Sequence, residues 1–281
     1  MHELAPLAPA QSDIEALARL FDRGPVAVLT GAGISTESGI PDYRGPETRR
    51  RARNPVQYRE FLRSAAARQR YWARSMLGWP RFARARPNAG HAAVAKLALA
   101  GLLPGLVTQN VDGLHNDAGS SSVELHGALR EAICLRCQQL TPRAALQVAL
   151  EAQNPEFVER TAELAPDGDA DFEDDRLDHF KVVDCACGGA LKPHVVFFGE
   201  NVPPARVAKA MEHVHAGSAL LVIGSSLAVY SGLRFVHAAQ KRGVPIAIVS
   251  YGETRGDPAA TLRIDAGAGL TLTRLVDRLG L

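Results

Sequence analysis

Apolar residues in this chain come in short runs rich in β-branched members, and each run stops at glycine or at small polar residues. Val26-Ala27-Val28-Leu29 runs into Thr30-Gly31-Ala32-Gly33, and Leu106-Val107-Thr108 into Gln109-Asn110-Val111-Asp112. Val123-Glu124-Leu125 ends at His126-Gly127, residues 219–223 at Gly224-Ser225-Ser226, and residues 245–249 at Ser250. Such runs predict buried strands. Between them the apolar spacing becomes helical. A helix is predicted over 13–23, with Ile14, Leu17, Leu20 and Phe21 on one face and Ser12 or Asp13 as N-cap. Two or more helices are expected over 55–86, and another over 91–100 after the breaker Pro87-Asn88-Ala89-Gly90. Extended structure is expected to resume at 195–198. Strands alternating with helices predict an α/β fold with a doubly wound parallel sheet. Ligands gather at the carboxyl edge of such sheets, and four strand ends here carry candidate contacts.

The turn at Gly31-Ala32-Gly33 is where missing side chains would let backbone N–H groups approach a phosphate. It differs from the G-x-G-x-x-G dinucleotide fingerprint, because Ser35-Thr36 stand where the third glycine would come.

Composition adds little beyond class. With 281 residues, 46% hydrophobic and 22% charged, the chain can bury a large core, as one domain or a domain with an insertion. No apolar run approaches the roughly 20 residues of a bilayer span. Met1-His2-Glu3-Leu4 has neither a basic region nor an apolar signal core, so a cytoplasmic protein without a membrane role is expected. Charge is uneven despite a net of +2: arginines 49, 50, 51, 53, 59, 63, 68, 70, 74, 81, 84 and 86 face only Glu47 and Glu60. The sign reverses at Asp171, Glu173, Asp174, Asp175 and Asp178. Solvated faces, an acidic-ligand patch, or mutual attraction of the two segments all fit. No nucleic-acid motif accompanies them.

The stretch from Cys134 to Cys187 breaks the α/β rhythm and reads as an insertion. Its four cysteines, Cys134-Leu135-Arg136-Cys137 and Cys185-Ala186-Cys187, suffice for one tetrahedral zinc with no open position, which makes the site structural. In extended chain residues i and i+2 face one side, so the tighter second pair can still converge. Disulfides, or thiols paired by chance, are the other readings.

Taken together, these residues resemble the sirtuin family of NAD-dependent protein deacylases, over nearly the whole chain from about residue 13. The resemblance rests on Gly31-Ala32-Gly33-Ile34-Ser35, Gly39-Ile40-Pro41-Asp42-Tyr43-Arg44, Thr108-Gln109-Asn110-Val111-Asp112-Gly113-Leu114-His115 and His126-Gly127. It continues through Pro193-His194-Val195-Val196-Phe197-Phe198-Gly199-Glu200 and Gly224-Ser225-Ser226-Leu227, all in family order and spacing. Arg68-Gln69-Arg70-Tyr71-Trp72-Ala73-Arg74, Gly78-Trp79-Pro80 and Ala165-Pro166-Asp167-Gly168-Asp169 are similar to the class II branch, which includes many bacterial proteins.

The resemblance implies a Rossmann-like NAD-binding domain from 1–44, 88–130 and 190–281. A smaller inserted domain would combine a helical module (45–87) and a zinc-binding module (131–189). It implies that Gly31, Ala32, Gly33, Asp42, Tyr43 and Arg44 hold the diphosphate, ribose and nicotinamide end of NAD. Gln109, Asn110, Val111 and Asp112 would line the nicotinamide-ribose pocket. Gly224, Ser225 and Ser226 would meet the adenosine half, with Ser250, Tyr251, Gly252 and Ala268 among the cofactor contacts. Val195, Phe197, Phe198, Gly199 and Glu200, with Leu227, Val229 and Tyr230, would sandwich an acyl-lysine peptide as an added strand.

His126, Asn110 and Asp112 are implied as catalytic. The acyl oxygen attacks C1′ of the ribose as nicotinamide leaves. His126 then takes a proton from a ribose hydroxyl, and the products are lysine, nicotinamide and O-acyl-ADP-ribose. The partners implied are acylated lysines of proteins. Asn110 and Asp112 also suit a turn, and His115, His194, His213, His215 and His237 read as packing or surface residues.

Three features depart from the family pattern. Ser250 stands where asparagine usually holds the adenosine ribose. The second cysteine pair is C-x-C rather than C-x-x-C. No Tyr-x-x-Arg pair for acidic acyl groups follows Gly45. Protein mono-ADP-ribosyl transfer, a non-catalytic NAD-sensing module and a hydride-transferring oxidoreductase remain as alternatives.

Overall fold

The apolar runs assemble into one sheet in which every pairing is parallel. The chain is described here from a computed structural model covering residues 8–42, 55–158, 163–164, 170–171 and 179–281. The first half contains α1 (Gln11–Ala18), β1 (Val26–Thr30), α2 (Tyr58–Arg63), α3 (Ala65–Phe82), α4 (Ala89–Leu99) and β2 (Leu106–Thr108). It continues with α5 (Leu114–Asp117), β3 (Ser122–Glu124), β4 (Gly127–Cys134), β5 (Leu140–Pro142), α6 (Arg143–Gln153) and α7 (Pro155–Val158). Two short strands, β6 (Glu163–Leu164) and β7 (Ala170–Asp171), precede β8 (Leu191–Val195). Then come α8 (Pro204–Ala216), β9 (Ala219–Ile223), α9 (Tyr230–Lys241), β10 (Ile246–Val249), β11 (Leu262–Ile264) and α10 (Ala268–Arg278).

The six-stranded sheet has the order β11-β10-β9-β1-β2-β3. Strand β1 pairs with β2 on one side and β9 on the other, so the winding reverses between β1 and β9. Both faces are covered, which is why these strands read as unbroken apolar runs. Val26 and Val28 point to one face with Leu221 and Val249, packed under Leu17, Val94, Leu97 and Leu275 from α1, α4 and α10. Ala27 and Leu29 point to the other with Leu220, Val222 and Ile248, under Val214 of α8 and Phe235 and Val236 of α9.

A second, antiparallel sheet (β5-β4-β8) leads to the cysteines: Cys134 ends β4, and Cys137, Cys185 and Cys187 lie in the loops beside it. It shares one core with the arginine-rich helices: Phe61, Tyr71, Trp72 and Met76 pack with Ala132, Leu146, Leu150, Leu191 and Phe197. Edge-to-face contacts run from Phe61 to Tyr71 (5.5 Å) and Phe197 (5.1 Å), and the Trp72 indole donates to Leu191 O at 3.1 Å. The helical and cysteine-bearing segments are therefore joined by burial rather than tethered.

Several boundaries differ from the sequence expectation. Helix α1 begins at Gln11 with Ala10 as N-cap. Asp13 sits one turn in and accepts the Ala10 N–H at 3.1 Å, so the acidic residue reaches back to the cap instead of being it. Extended structure resumes at Leu191, and β8 ends at Val195; Val196 and Phe197 follow as irregular chain, and Phe198 forms an isolated parallel bridge with Gln57. Among the described arginines, Arg68 donates to Phe61 O and Leu62 O, while Arg70 pairs with Glu60 at 2.8 Å. These charges tie α3 back to α2. Tyr43, Arg44 and arginines 49–53 lie outside the described residues. No helix among the described residues is long and apolar enough to cross a membrane.

Candidate active site

The carboxyl ends of β1 and β9 meet so closely that only glycine fits. Gly31 N–H donates to Ile223 O (2.9 Å) and Gly33 N–H to Gly224 O (2.8 Å). A Cβ on Gly33 would lie 2.8 Å from Gly224 Cα, and one on Gly31 2.7 Å from Ser225 Cβ. Gly224 itself has φ +60°. The glycines thus serve loop–loop contact, and their amides are already engaged. The amides of Ala32, Ser225 and Ser226 find no acceptor among the described residues. These are the donors at the switch point suited to an anionic ligand.

Next to this crevice lies a buried polar cluster built by β1, β2 and the turns after them. The Ser35 hydroxyl donates to Asp112 Oδ2 at 2.7 Å and accepts Asn110 Nδ2 at 3.0 Å. Asn110 also donates to Gly31 O (3.2 Å), and Asp112 Oδ1 accepts Leu114 N–H (2.9 Å). Both residues therefore act in the local turn as well as lining the cluster. Val111 packs beside Ile40 and Leu114, and its carbonyl accepts Leu129 N–H at 2.9 Å. His115 is fully buried, with Nε2 2.9 Å from Thr30 Oγ1 and its ring 4.8 Å from that of His91. Burial, then the neighbouring His91, pushes His115 down to about 3.

Gln109 links the crevice to His126. Its Nε2 donates to Ser225 Oγ (2.7 Å), and its carbonyl oxygen lies 2.8 Å from His126 Nδ1. A carbonyl can only accept, so Nδ1 carries the hydrogen and the neutral ring keeps its lone pair on Nε2. Nε2 lies 2.9 Å from Ser231 Oγ. Burial holds the His126 pKa below the ordinary imidazole value, against the opposing pull of the Gln109 carbonyl. The next residue must be glycine: Gly127 has φ +86°, and a Cβ there would meet His194 O at 2.1 Å.

The predicted peptide strips converge on the same histidine. Its backbone carbonyl accepts Val196 N–H at 2.7 Å, while its ring meets the first turn of α9. Val195 ends β8, and Gly199 is exposed with φ +79°. Phe198, Val229 and Tyr230 are exposed apolar side chains at 42%, 37% and 59%, whereas Phe197 and Leu227 are buried. Glu200 works inward, accepting Phe197 N–H (2.8 Å) and pairing with the buried Lys192 at 2.9 Å. Lys192 also donates to Val195 O and faces the Phe197 ring at 4.7 Å. Asp42 is half-buried.

The residues after β10 form the far end of the crevice. Ser250 is buried, its N–H donating to Ile264 O (3.2 Å). Gly252 N–H donates to Asp265, and Tyr251 is half-exposed with its hydroxyl against Gly267. Ala268 opens α10, where Glu37 accepts Gly269 N–H at 3.1 Å and ties the glycine turn to that helix. Thr30, Ser35, His91 and Ser231 were not among the expected site residues. Only Ser35 had a signal, its place in the Gly31–Ser35 motif.

The four cysteine sulfurs lie within 4.8 Å of one another, with Cys134–Cys187 at 3.5 Å and Cys137–Cys185 at 3.7 Å. A tetrahedral zinc with Zn–S near 2.3 Å requires sulfurs about 3.8 Å apart, so the cluster fits that ion. Disulfide-bonded sulfurs would be about 2 Å apart, and all four cysteines are free. Arg136 and Cys137 amides point at Cys134 Sγ (3.4 and 3.5 Å), and a Cβ on Gly189 would intrude 2.7 Å from the same sulfur.

The Sir2 family model matches residues 31–231. NAD-dependent protein deacetylase 1 of Streptomyces coelicolor is 53% identical over 279 residues, covering 99% of this chain and 93% of that protein. The bovine mitochondrial NAD-dependent protein lipoamidase sirtuin-4 is 47% identical, covering 89% and 81% respectively. A solved Sir2–p53 peptide–NAD+ complex superposes with a TM-score of 0.72 at 31% identity, covering 95% of this chain and 98% of that one. The chain therefore belongs to the Sir2 family.

Proposed function

We propose that this protein is an NAD-dependent protein lysine deacylase in which His126 is the general base and NAD is consumed as co-substrate. The observation that carries the reading is the convergence at one sheet edge of three things. These are the anion-ready amides of Ala32, Ser225 and Ser226, the Ser35–Asn110–Asp112 cluster, and a histidine whose Nε2 is left basic. NAD supplies the ribose carbon to which the acyl oxygen bonds as nicotinamide departs. Gln109 fixes the His126 tautomer, and Asn110 and Asp112 orient the polar wall beside it. Tyr43 and Arg44, with Asp42, belong to the cofactor-side role as further proposals. Phe198, Val229 and Tyr230 offer the apolar strips between which an acyl-lysine peptide adds as a strand. The four cysteines would hold one structural zinc as thiolates, an arrangement that suits a reducing cytoplasm.

The test is His126→Tyr, which keeps melting behaviour and zinc content while abolishing O-acyl-ADP-ribose formation. Undiminished turnover on an acyl-lysine peptide sinks the assignment. Nicotinamide release across acetyl-, longer-chain, dicarboxylic and lipoyl-lysine peptides identifies the acyl group. Label from adenine-labelled NAD retained on protein would instead indicate ADP-ribosyl transfer.

A further inference from the structure

We propose that Ser231 is the positioning residue of His126, fixing the plane of the imidazole before NAD arrives. The inference rests on His126 being the base. Its ring is gripped at two opposite edges, by Gln109 O on Nδ1 (2.8 Å) and by Ser231 Oγ on Nε2 (2.9 Å). Since Nδ1 carries the hydrogen, the Ser231 hydroxyl is the donor and Nε2 the acceptor. This is the arrangement in which the base is unprotonated. Rotation about the Cβ–Cγ axis strains both bonds, so the second adds to the restraint that the first imposes.

The first turn of α9 is built for this pair. Ser231 meets the ring, and the next residue, Gly232, makes room for the side chain of Gln109, whose backbone carbonyl holds the ring's other edge: a Cβ there would lie 2.3 Å from Gln109 Oε1. Gln109 is in turn anchored to Ser225, so the hydroxyls at the starts of two successive segments hold the two ends of one Gln109–His126 unit. When a ribose hydroxyl takes over the Nε2 lone pair, Ser231 needs only to turn its own hydroxyl. The ribose O–H bond then breaks, the proton passes to Nε2, and the serine can accept that N–H, because a hydroxyl both donates and accepts. Ser231 gains and loses no proton in the process.

The experiment compares wild type with Ser231→Ala, Ser231→Thr and His126→Ala on an acetyl-lysine peptide. Two steps are followed separately: exchange of labelled nicotinamide into NAD, and formation of O-acetyl-ADP-ribose. The expected result for Ser231→Ala is a kcat for O-acetyl-ADP-ribose reduced about three- to tenfold, the scale of one lost hydrogen bond. Its KM for NAD, nicotinamide exchange and melting temperature stay near wild type, and Ser231→Thr restores most of kcat. Wild-type kcat in Ser231→Ala, exchange and turnover falling in parallel, or no rescue by threonine each overturns the positioning role. If His126→Ala still forms product at the wild-type rate, the base assignment fails and the role of Ser231 with it. If His126→Ala is inactive while Ser231→Ala is unimpaired, only the role of Ser231 fails.

Discussion

Replacing His115 by glutamine removes a buried imidazole whose cost is set by pH. In the folded chain His115 is fully buried, Nε2 is 2.9 Å from Thr30 Oγ1, and Nδ1 has no partner among the described residues. Its pKa falls to about 3 from an ordinary 6.5, chiefly through burial. In the unfolded chain the same ring titrates near 6.5. Below that pH the unfolded state binds a proton that the folded state refuses, so stability is full at neutral pH and declines as pH falls toward 3. Each unit costs about 1.4 kcal/mol, which gives about 2 kcal/mol between pH 7 and pH 5. Urea unfolding at half-unit pH steps over that interval measures the slope for wild type and His115→Gln. His91 and His126 are also held below the usual imidazole value, mainly by burial, and both remain in the variant. The variant should therefore lose about one proton's worth of slope, whatever its stability at pH 7. Parallel curves for the two proteins would refute a neutral buried His115.

Gly33→Ala forces a methyl to within 2.8 Å of Gly224 Cα; melting should show about 1–3 kcal/mol of destabilisation, and the KM for NAD should rise. Ser250→Asn replaces a buried hydroxyl by a longer carboxamide and should lower the KM for NAD; steady-state kinetics showing an unchanged or raised KM would count against Ser250 as a cofactor contact. Chelating the metal should collapse the cysteine-bearing sheet and lower the melting temperature, since zinc contributes about 10–16 kcal/mol in small zinc peptides. Calorimetry on chelated and reloaded protein reads this directly.

The sheet was legible because its strands are buried on both faces, which leaves an unbroken apolar run such as 26–29 in the sequence. The strand-end candidates followed from that placement. Exact starts were less legible: Ser12 and Asp13 have the chemistry of a cap, but tertiary packing begins α1 at Gln11 and leaves Asp13 one turn in. The resumption expected at 195–198 missed β8 because Leu191-Lys192-Pro193 lacks an apolar run, with Lys192 buried by its pairing to Glu200. Thr30, Ser35 and Ser231 make hydroxyl contacts in the site beside that of Ser225, yet nothing in a lone hydroxyl's sequence context marks which partner it will meet. The glycines of the first turn were read as clearance for a ligand, whereas their proximity to Gly224 makes clearance between two loops the nearer constraint.

Strand β4 begins at Gly127, immediately after His126, and ends at Cys134, the first of the four sulfur ligands. Eight residues of extended chain span on the order of 20 Å, so a metal held by the four cysteines would lie well away from His126. Its partner β8 runs back from Leu191, opposite Cys134, to Val195, opposite Gly127 and next to the segment 196–198. The cysteine cluster and His126 are thus the two ends of one girder, and the chain at 196–198 is bolted to the same beam. A cysteine-bearing module transplanted from a relative would carry its own registration of the base and the rim with it. Chimaeras cut inside β4 or β8 should mis-set catalysis even when both halves fold, while cuts beyond the sulfur end should be silent.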